Sequence, residues 1–286
     1  MVRNNSENLI LKIEATLDNL RPSEQKVARY VLSNYDEVKY QTVSELASNS
    51  NVSEASVMRF IKSLGFKGFQ YFKLSLASST QQRNSSPQVK KITKNDSISD
   101  IMNKIKNNSI NSINDSETLL KGDEIEKAIK YIKNASEIFL VGVGVSGIMA
   151  QLLKYKLLRI GIKAKHISCP HLQAMETSLI NSDGLIIGIS HSGSTKDTVE
   201  SMKIAKSVGV KTICITAHLK SPIAKYSDLL LCTYSRKNPL GISQGWSSSS
   251  QLFVIETLTA SLYARTKDKA NQAHQATAKA ILDKLY

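Results

Sequence analysis

The chain has 286 residues, of which 41% are hydrophobic, and its formal net charge is +14. It is long enough for one small and one medium domain, and no stretch approaches the roughly 18 apolar residues that a membrane span requires. The first residues also lack the uncharged apolar run of a signal peptide, so we expect a soluble, cytoplasmic protein without a membrane partner.

The positive charge is spread unevenly along the chain. Residues 1–80 carry 10 Lys or Arg against 8 Asp or Glu, a difference of +2, so +12 of the net charge lies further along. Lys-rich solvated helices often produce such an excess. Charge alone therefore does not identify a nucleic-acid partner.

The first 78 residues are predicted to form an all-α domain. Ile10, Ile13 and Leu17 make an apolar stripe at helical spacing, and Pro22 opens a second helix that ends near Asn34. Both helices are short, which is typical of a small helical domain.

Two further helices are predicted within residues 42–64, TVSELASNSNVSEASVMRFIKSL. Thr42 and Glu45 match the capping box at a helix N-terminus, and that helix ends near Asn49. Ser53 caps the next helix, which runs to about Leu64. Two short helices about a three-residue turn are typical of a DNA-binding helix-turn-helix, although helix pairs that only pack together have the same spacing.

The second of these helices has the polarity that a recognition helix needs. Its apolar residues face inward at helical spacing, and polar or small residues remain for the major groove. The predicted groove contacts are Ser53, Glu54, Ala55, Ser56, Met58 and Arg59. Arg59 is the leading base or phosphate contact, and the backbone amides after Thr42 are predicted phosphate contacts together with Lys62 and Lys67.

Residues 79–98, STQQRNSSPQVKKITKNDSI, are polar and form the best domain boundary. Residues 99–286 are predicted to form the second domain, in which short apolar runs alternate with helical segments after a helical lead-in. The runs are IFLVGV, IKAKHI, GLIIGI, TICIT and DLLLCT. This alternation predicts a doubly wound α/β domain with a parallel sheet of about five strands.

Three cysteines, Cys169, Cys214 and Cys232, lie within or beside these apolar runs. They are odd in number and widely spaced, which disfavours a disulfide framework. We expect all three to be reduced thiols in the core.

The run IFLVGV leads into GVGVSG at 142–147, whose glycines have the G-x-G-x-x-G spacing of a dinucleotide-binding loop. Such sites also need an Asp or Glu at the end of the next strand, and GIKAKHISCPH contains neither. NAD is therefore disfavoured and we expect no cofactor, although Lys163 or Lys165 leaves a phosphorylated dinucleotide open.

A second loop of small residues follows the run GLIIGI at 190–195. It offers hydroxyls and backbone amides at the N-terminus of the next helix, where the helix dipole favours an anion. The residues are Ser190, His191, Ser192, Gly193, Ser194 and Thr195. They predict a site for a phosphate group, although a serine-rich turn that only caps the helix would have the same composition.

The segment VSEASVMRFIKSLGFKGFQYFK closely resembles the recognition helix and following turn of RpiR-family bacterial transcriptional regulators, and TVSELASNSNVS resembles the helix and turn before it. That family joins a helix-turn-helix domain to a sugar isomerase (SIS) domain, which the second half of this chain resembles. The similarity thus extends over nearly the whole chain. It implies operator DNA as a partner and a phosphorylated sugar as the effector.

The resemblance also implies roles for single residues. Ser190, Ser192 and Thr195 match the S-x-S-G-x-T loop that would hold the phosphate, and Ser146 matches the serine of the G-x-G-x-S loop. His171 and Gln173 resemble residues found in this segment of the family. The expected ligand-binding set is Gly144, Ser146, His171, Ser190, His191, Ser192, Gly193, Ser194, Thr195 and Glu256.

SIS domains also occur in sugar-phosphate isomerases, where a glutamate moves a proton and a histidine helps open the ring. Glu256 and His171 are the candidates for those roles, and no local motif pairs them. We therefore expect a regulator without catalytic residues, with a sugar-phosphate isomerase or lyase as the alternative.

Two further motifs are set aside. GISQG at 241–245 imitates a hydrolase elbow but lacks the strand that must precede it. His166, Cys169 and His171 lack a nearby fourth ligand, so we expect no metal.

We accordingly expect a transcription regulator of sugar or amino-sugar metabolism that senses a phosphorylated sugar. Two recognition helices must meet half-sites about 34–36 Å apart or a multiple of this, so we expect a homodimer or homotetramer. The Ala-rich segment 268–286 is predicted to be helical and to pack against the SIS core or a partner subunit.

Overall fold

The computed structural model describes residues 9–83, 92–234 and 247–284. These residues form two compact units. The first takes the described residues up to Leu119 together with Tyr234, and the second takes residues 120–233 and 247–284. No helix within the described ranges is long and apolar enough to cross a membrane.

The first unit is helical. Its helices are α1 (Leu9–Thr16), α2 (Pro22–Ser33), α3 (Tyr35–Val38), α4 (Val43–Asn49), α5 (Glu54–Ser63), α6 (Phe69–Arg83) and α7 (Ile98–Leu119), with a short 3-10 turn at Leu17–Asn19. The predicted bounds of α2, α4 and α5 are confirmed. By its contacts, α7 groups with this unit. The polar segment 79–98 overlaps the end of α6, and its residues 84–91 lie outside the described ranges.

Apolar side chains of α1, α2, α4, α5 and α6 make the core of this unit. Phe60 and Phe72 are fully buried, and their rings meet edge to face with centroids 6.0 Å apart. Tyr234 also belongs here, because its N–H donates to Ser116 Oγ at 2.9 Å and its hydroxyl contacts the Glu14 carboxylate.

The second unit alternates strands and helices. Its elements are α8 (Gly122–Asn134), β1 (Ile138–Val141), α9 (Val145–Arg159), β2 (Lys165–Ile167), α10 (Pro170–Thr177), β3 (Leu185–Ile189), α11 (Lys196–Ser207), β4 (Lys211–Thr216), β5 (Leu229–Cys232), α12 (Ser247–Arg265) and α13 (Lys267–Lys279), with 3-10 turns at Pro222–Tyr226 and Leu282–Lys284. The strands are all parallel and pair in the order β2-β1-β3-β4-β5.

Both faces of this sheet are covered, since successive side chains of a strand point to opposite faces. Ile138 and Leu140 of β1 belong to a buried cluster that α8, α9 and α12 complete. Phe139 and Val141 belong to a second cluster, which includes Met202 of α11. Burial on both faces explains why the strands read as continuous apolar runs. The predicted α/β fold with a doubly wound parallel sheet is confirmed.

The strand order reverses between β1 and β3. These strands are neighbours, with Val141 opposite Gly188 at their last paired position. From β1 the chain crosses to β2 on one side, whereas from β3 it crosses to β4 on the other. A crevice opens at the carboxyl ends of the strands at such a reversal, and ligands of open α/β sheets bind there.

Residues 268–279 of the Ala-rich segment lie in α13, which packs on α9. Ala270 is buried in the core of the second unit, and Arg159 Nη1 donates to Thr277 Oγ1 at 2.9 Å. The segment was predicted to pack on the SIS core or on a partner subunit, and these contacts are with the core.

The cysteines divide into two kinds. Cys214 and Cys232 are buried free thiols, and burial raises the pKa of both. The expectation of a core position was wrong for Cys169, which is exposed. Cys169 precedes Pro170 in the turn that opens α10, outside the apolar strand.

We expect Phe60→Ala to lower the free energy of unfolding of the first unit by about 3–5 kcal/mol, because it deletes a buried ring and leaves a cavity. Phe60→Leu keeps most of the apolar volume and should cost much less. Hydrogen exchange of peptides from α4 to α6 measures both losses. Equal losses would contradict a close-packed Phe60 site.

Candidate functional site

The helix-turn-helix begins at a capping box on Thr42. Thr42 Oγ1 accepts the Glu45 N–H at 3.2 Å, and the Glu45 carboxylate accepts the Thr42 N–H at 2.6 Å. The hydrogen bonds from Thr42 lower the pKa of Glu45. Asn51 then adopts a φ of 53° in the turn before α5, a backbone conformation that asparagine tolerates. The predicted cap and turn are confirmed.

Most of the predicted DNA contacts are exposed side chains. These are Thr42, Ser53, Glu54, Ala55, Arg59, Lys62 and Lys67. Arg59 Nη2 donates to Ser56 Oγ at 2.8 Å, which holds the guanidinium beside the first turn of α5. An arginine presented at the start of a helix can contact a base edge or a phosphate.

Ser56 and Met58 were expected to face outward, and they do not. Ser56 is buried, and Met58 is half-buried against the core of the first unit. Ser56 lies four residues before Phe60, so it shares the inward face of the helix. Its hydroxyl restrains Arg59 in this structure, and its predicted contact with DNA stays a prediction.

The first loop of the second unit follows β1 and opens α9. A Cβ on Gly142 would lie 2.8 Å from the Ser146 carbonyl oxygen and 3.0 Å from that of Ile189, so only glycine fits. Gly144 has a φ of 61° at the N-cap of α9. These glycines bring the half-buried Ser146 to the carboxyl end of the sheet.

The second loop follows β3 and opens α11. Ser190 is buried and its hydroxyl donates to Thr195 Oγ1 at 3.4 Å, while Ser192 and Ser194 are exposed. The side chain of Thr195, at the N-cap, makes no capping hydrogen bond. Gly193 has a φ of 63°.

The structure brings these two loops together. His191 N–H donates to Ser146 Oγ at 3.4 Å, so the loop after β3 contacts the serine of the loop after β1. Backbone amides and hydroxyls at two helix N-termini thus meet at the reversal of strand order. That arrangement favours an anion.

A third segment, residues 216–221 at the end of β4 and after it, also belongs to this edge of the sheet and was missed from the sequence. Ala217 N–H donates to the His191 carbonyl at 3.1 Å. The His218 ring lies edge to face with the His191 ring, with centroids 6.3 Å apart. The available signal was the run TICIT, whose carboxyl end must share an edge with that of β3 in a parallel sheet.

His191 is a neutral side chain at pH 7. Burial, with a smaller effect of the neighbouring His218, lowers its pKa to about 4. The polar groups that the His191 loop offers are therefore uncharged at pH 7.

The remaining ligand-binding predictions lie on other elements. His171 is exposed on the first turn of α10, which follows β2. Glu256 is exposed on α12 and pairs with Lys156 at 2.6 Å. Lys156 lies in the last turn of α9, roughly 16 Å along the helix from Val145 at its start. The structure therefore does not bring Glu256 to the two loops.

The two motifs set aside in the sequence analysis have different outcomes. Residues 241–245 lie outside the described ranges. Within those ranges, no three His, Cys, Asp or Glu side chains gather as metal ligands.

Comparison with known proteins identifies the two units. The model of the helix-turn-helix domain of the rpiR family matches residues 7–83, and the model of the SIS domain matches residues 131–261. A helix-turn-helix joined to an SIS domain, with this fold and this sheet-edge site, defines a class of transcription regulators. The chain belongs to the RpiR family of HTH-type transcriptional regulators.

The similarity spans whole proteins. An HTH-type transcriptional regulator of Haemophilus influenzae is 34% identical over 97% of this chain and 98% of its own length. The regulator RpiR of Escherichia coli is 27% identical over 93% of this chain and 89% of its own. The solved structure of the NanR protein of Vibrio vulnificus, complexed with ManNAc-6P, is 26% identical, with a TM-score of 0.63 and coverage of 97% and 99% of the two chains.

Gly193 and Gly209 offer a matched pair of substitutions in the second unit. Both have a positive φ, but a Cβ on Gly193 would lie 2.0 Å from Ser221 Oγ, whereas nothing lies within 4 Å of one on Gly209. We expect Gly209→Ala to cost about 1–2 kcal/mol from backbone strain and Gly193→Ala about 1–3 kcal/mol more from the clash. Urea unfolding measures both. Equal costs would show that the Gly193 loop does not pack on Ser221.

Proposed function

We propose that this regulator binds operator DNA through residues 42–64 and that a phosphorylated sugar, bound where the loops 142–147 and 190–195 meet, alters that binding. The observation that best supports this ligand site is the hydrogen bond from His191 N–H to Ser146 Oγ. It joins two loops of the kind that bind phosphate at the point where open parallel sheets bind ligands.

The hydrogen bonding of Thr195 supports a ligand site over a turn that only caps the helix. If the serine-rich turn only capped the N-terminus of α11, the N-cap hydroxyl would accept a hydrogen bond from a helix N–H. The Thr195 side chain makes no such bond. Its Oγ1 accepts the Ser190 hydroxyl at 3.4 Å, so its own O–H and the first amides of α11 can still donate to phosphate oxygens. The complex of NanR with ManNAc-6P supports an amino-sugar phosphate as one candidate.

The location of Glu256 supports sensing without conversion. Moving a proton between sugar carbons requires a base within hydrogen-bond reach of the substrate. Glu256 instead pairs with Lys156, three turns away from the loops. The ligand would therefore be bound and released unchanged.

Regulation requires that the sugar phosphate prefer one of two arrangements of the protein. We propose a homodimer or homotetramer in which each of two subunits presents one helix α5 to a half-site. Effector binding then changes the population of the arrangement in which both helices fit their half-sites about 34–36 Å apart or a multiple of this.

Arg59→Ala should weaken specific operator binding by about 5- to 150-fold, the loss expected for an arginine that reads a base edge. Arg29→Ala is the matched control, because Arg29 is an exposed arginine of the same unit outside α4 and α5. Fluorescence anisotropy at fixed salt measures both affinities. Equal losses would indicate non-specific attraction, and no loss would remove Arg59 from the interface.

Thr195→Val keeps the shape of the side chain but removes its hydroxyl, so sugar-phosphate affinity should fall about tenfold while operator affinity without effector stays unchanged. Thr198→Val is the control, since Thr198 is a buried threonine of α11 one turn later. Calorimetric titration checks this. Wild-type affinity in Thr195→Val would exclude the hydroxyl from the site.

A further inference from the structure

We propose that Gln173 is a positioning residue of the ligand site, which holds the loop 142–147 in the conformation that binds an anion. The identity of the anion rests on the proposed function above. The positioning role rests on the contacts of Gln173 alone.

Gln173 lies on α10 and is completely buried. Its Nε2 donates to the Ile167 carbonyl at 2.7 Å and to the Gly142 carbonyl at 3.2 Å. The last paired residues of β1 and β2 are Val141 and Ile167, so the ladder ends where Gly142 begins. One side-chain amide thus joins the two strand ends at the point where main-chain pairing stops.

The orientation of the amide follows from its neighbours. In the flipped orientation Oε1 would face two carbonyl oxygens, and no donor would lie between them. In the orientation present, both hydrogens of Nε2 are used. Within the described ranges Oε1 is buried without a hydrogen-bond partner, so the amide serves the two carbonyls at the expense of its own acceptor.

The pattern of α10 supports a specific use for this amide. Gln173 and Thr177 are buried on its inner side, while Leu172 and Met175 are exposed. This reverses the usual pattern of a surface helix, which buries apolar side chains. A buried amide is costly where an apolar side chain could pack, so its two hydrogen bonds explain its presence.

The consequence for the loop concerns the direction of one peptide group. The Gly142 carbonyl is held by Gln173, and a Cβ on Gly147 would lie 3.0 Å from it, so its surroundings are tight. The peptides of the described chain are trans, so the N–H of Val143 points opposite to that carbonyl, away from Gln173. Anchoring the carbonyl therefore fixes the direction of an amide in the loop that would bind the anion.

The test compares Gln173→Met with Thr177→Val. Methionine has a similar length without donors, and Thr177 is equally buried on the same helix, one turn later. In Gln173→Met we expect amide exchange in residues 143–148 to rise about tenfold and affinity for inorganic phosphate to fall by a similar factor, with exchange in β4 unchanged. Thr177→Val should leave all three unchanged.

Gln173→Asn supplies a milder change, because it keeps the amide but is one methylene too short to reach both carbonyls. It should give an intermediate effect and serves in place of Gln173→Met if that variant does not fold. The proposal would be overturned if the Gln173 variant exchanged the amides of residues 143–148 at the wild-type rate. It would also be overturned if Thr177→Val raised their exchange by the same factor. If the wild type bound neither phosphate nor sugar phosphates but the Gln173 variant still showed faster loop exchange, the positioning role would stand and the proposed function would be wrong.

Discussion

The hydrogen-bond ladder between β1 and β3 is the constraint on which the proposed ligand site depends. It places the carboxyl ends of two strands side by side, although more than 40 residues separate the loops that follow them. Because the chain leaves β1 towards β2 and β3 towards β4, on opposite sides, a crevice opens between these two strand ends. Ser146 and His191 meet there as a result, and α9 and α11 both direct their N-termini to the same place.

The donors of this site are neutral. Hydroxyls and peptide amides surround it, and burial keeps His191 uncharged at pH 7, so these groups add no buried charge that would need compensation. Selectivity must then come from geometry. This explains the demand for glycine at 142 and 193, where any Cβ would strike neighbouring atoms, and the buried amide of Gln173 beneath the first loop.

Local sequence patterns predicted local structure well. The Thr42–Glu45 capping box, the Gly-rich and Ser-rich loops and the alternation of strands and helices each depend on residues close in the chain. The burial of Ser56 and the location of Glu256 depend on which face of a helix packs, whereas the exposure of Cys169 depends on where the strand before it ends. The contribution of residues 216–221 and of Gln173 depends on strand order and register. The run TICIT indicates a strand that ends at this edge of the sheet, but a single sequence does not contain the strand order and register that bring these residues to the two loops.

In the proposed function, DNA binding and sugar-phosphate binding are coupled in one molecule. The most direct measurement titrates the protein onto DNA upstream of its own gene at fixed salt, with and without hexose, amino-sugar and pentose phosphates, and assays the same samples for turnover. We predict specific DNA binding whose affinity changes with one sugar phosphate, and we predict that this sugar phosphate is recovered unchanged. Conversion of a sugar phosphate by a protein that binds no specific DNA would contradict it.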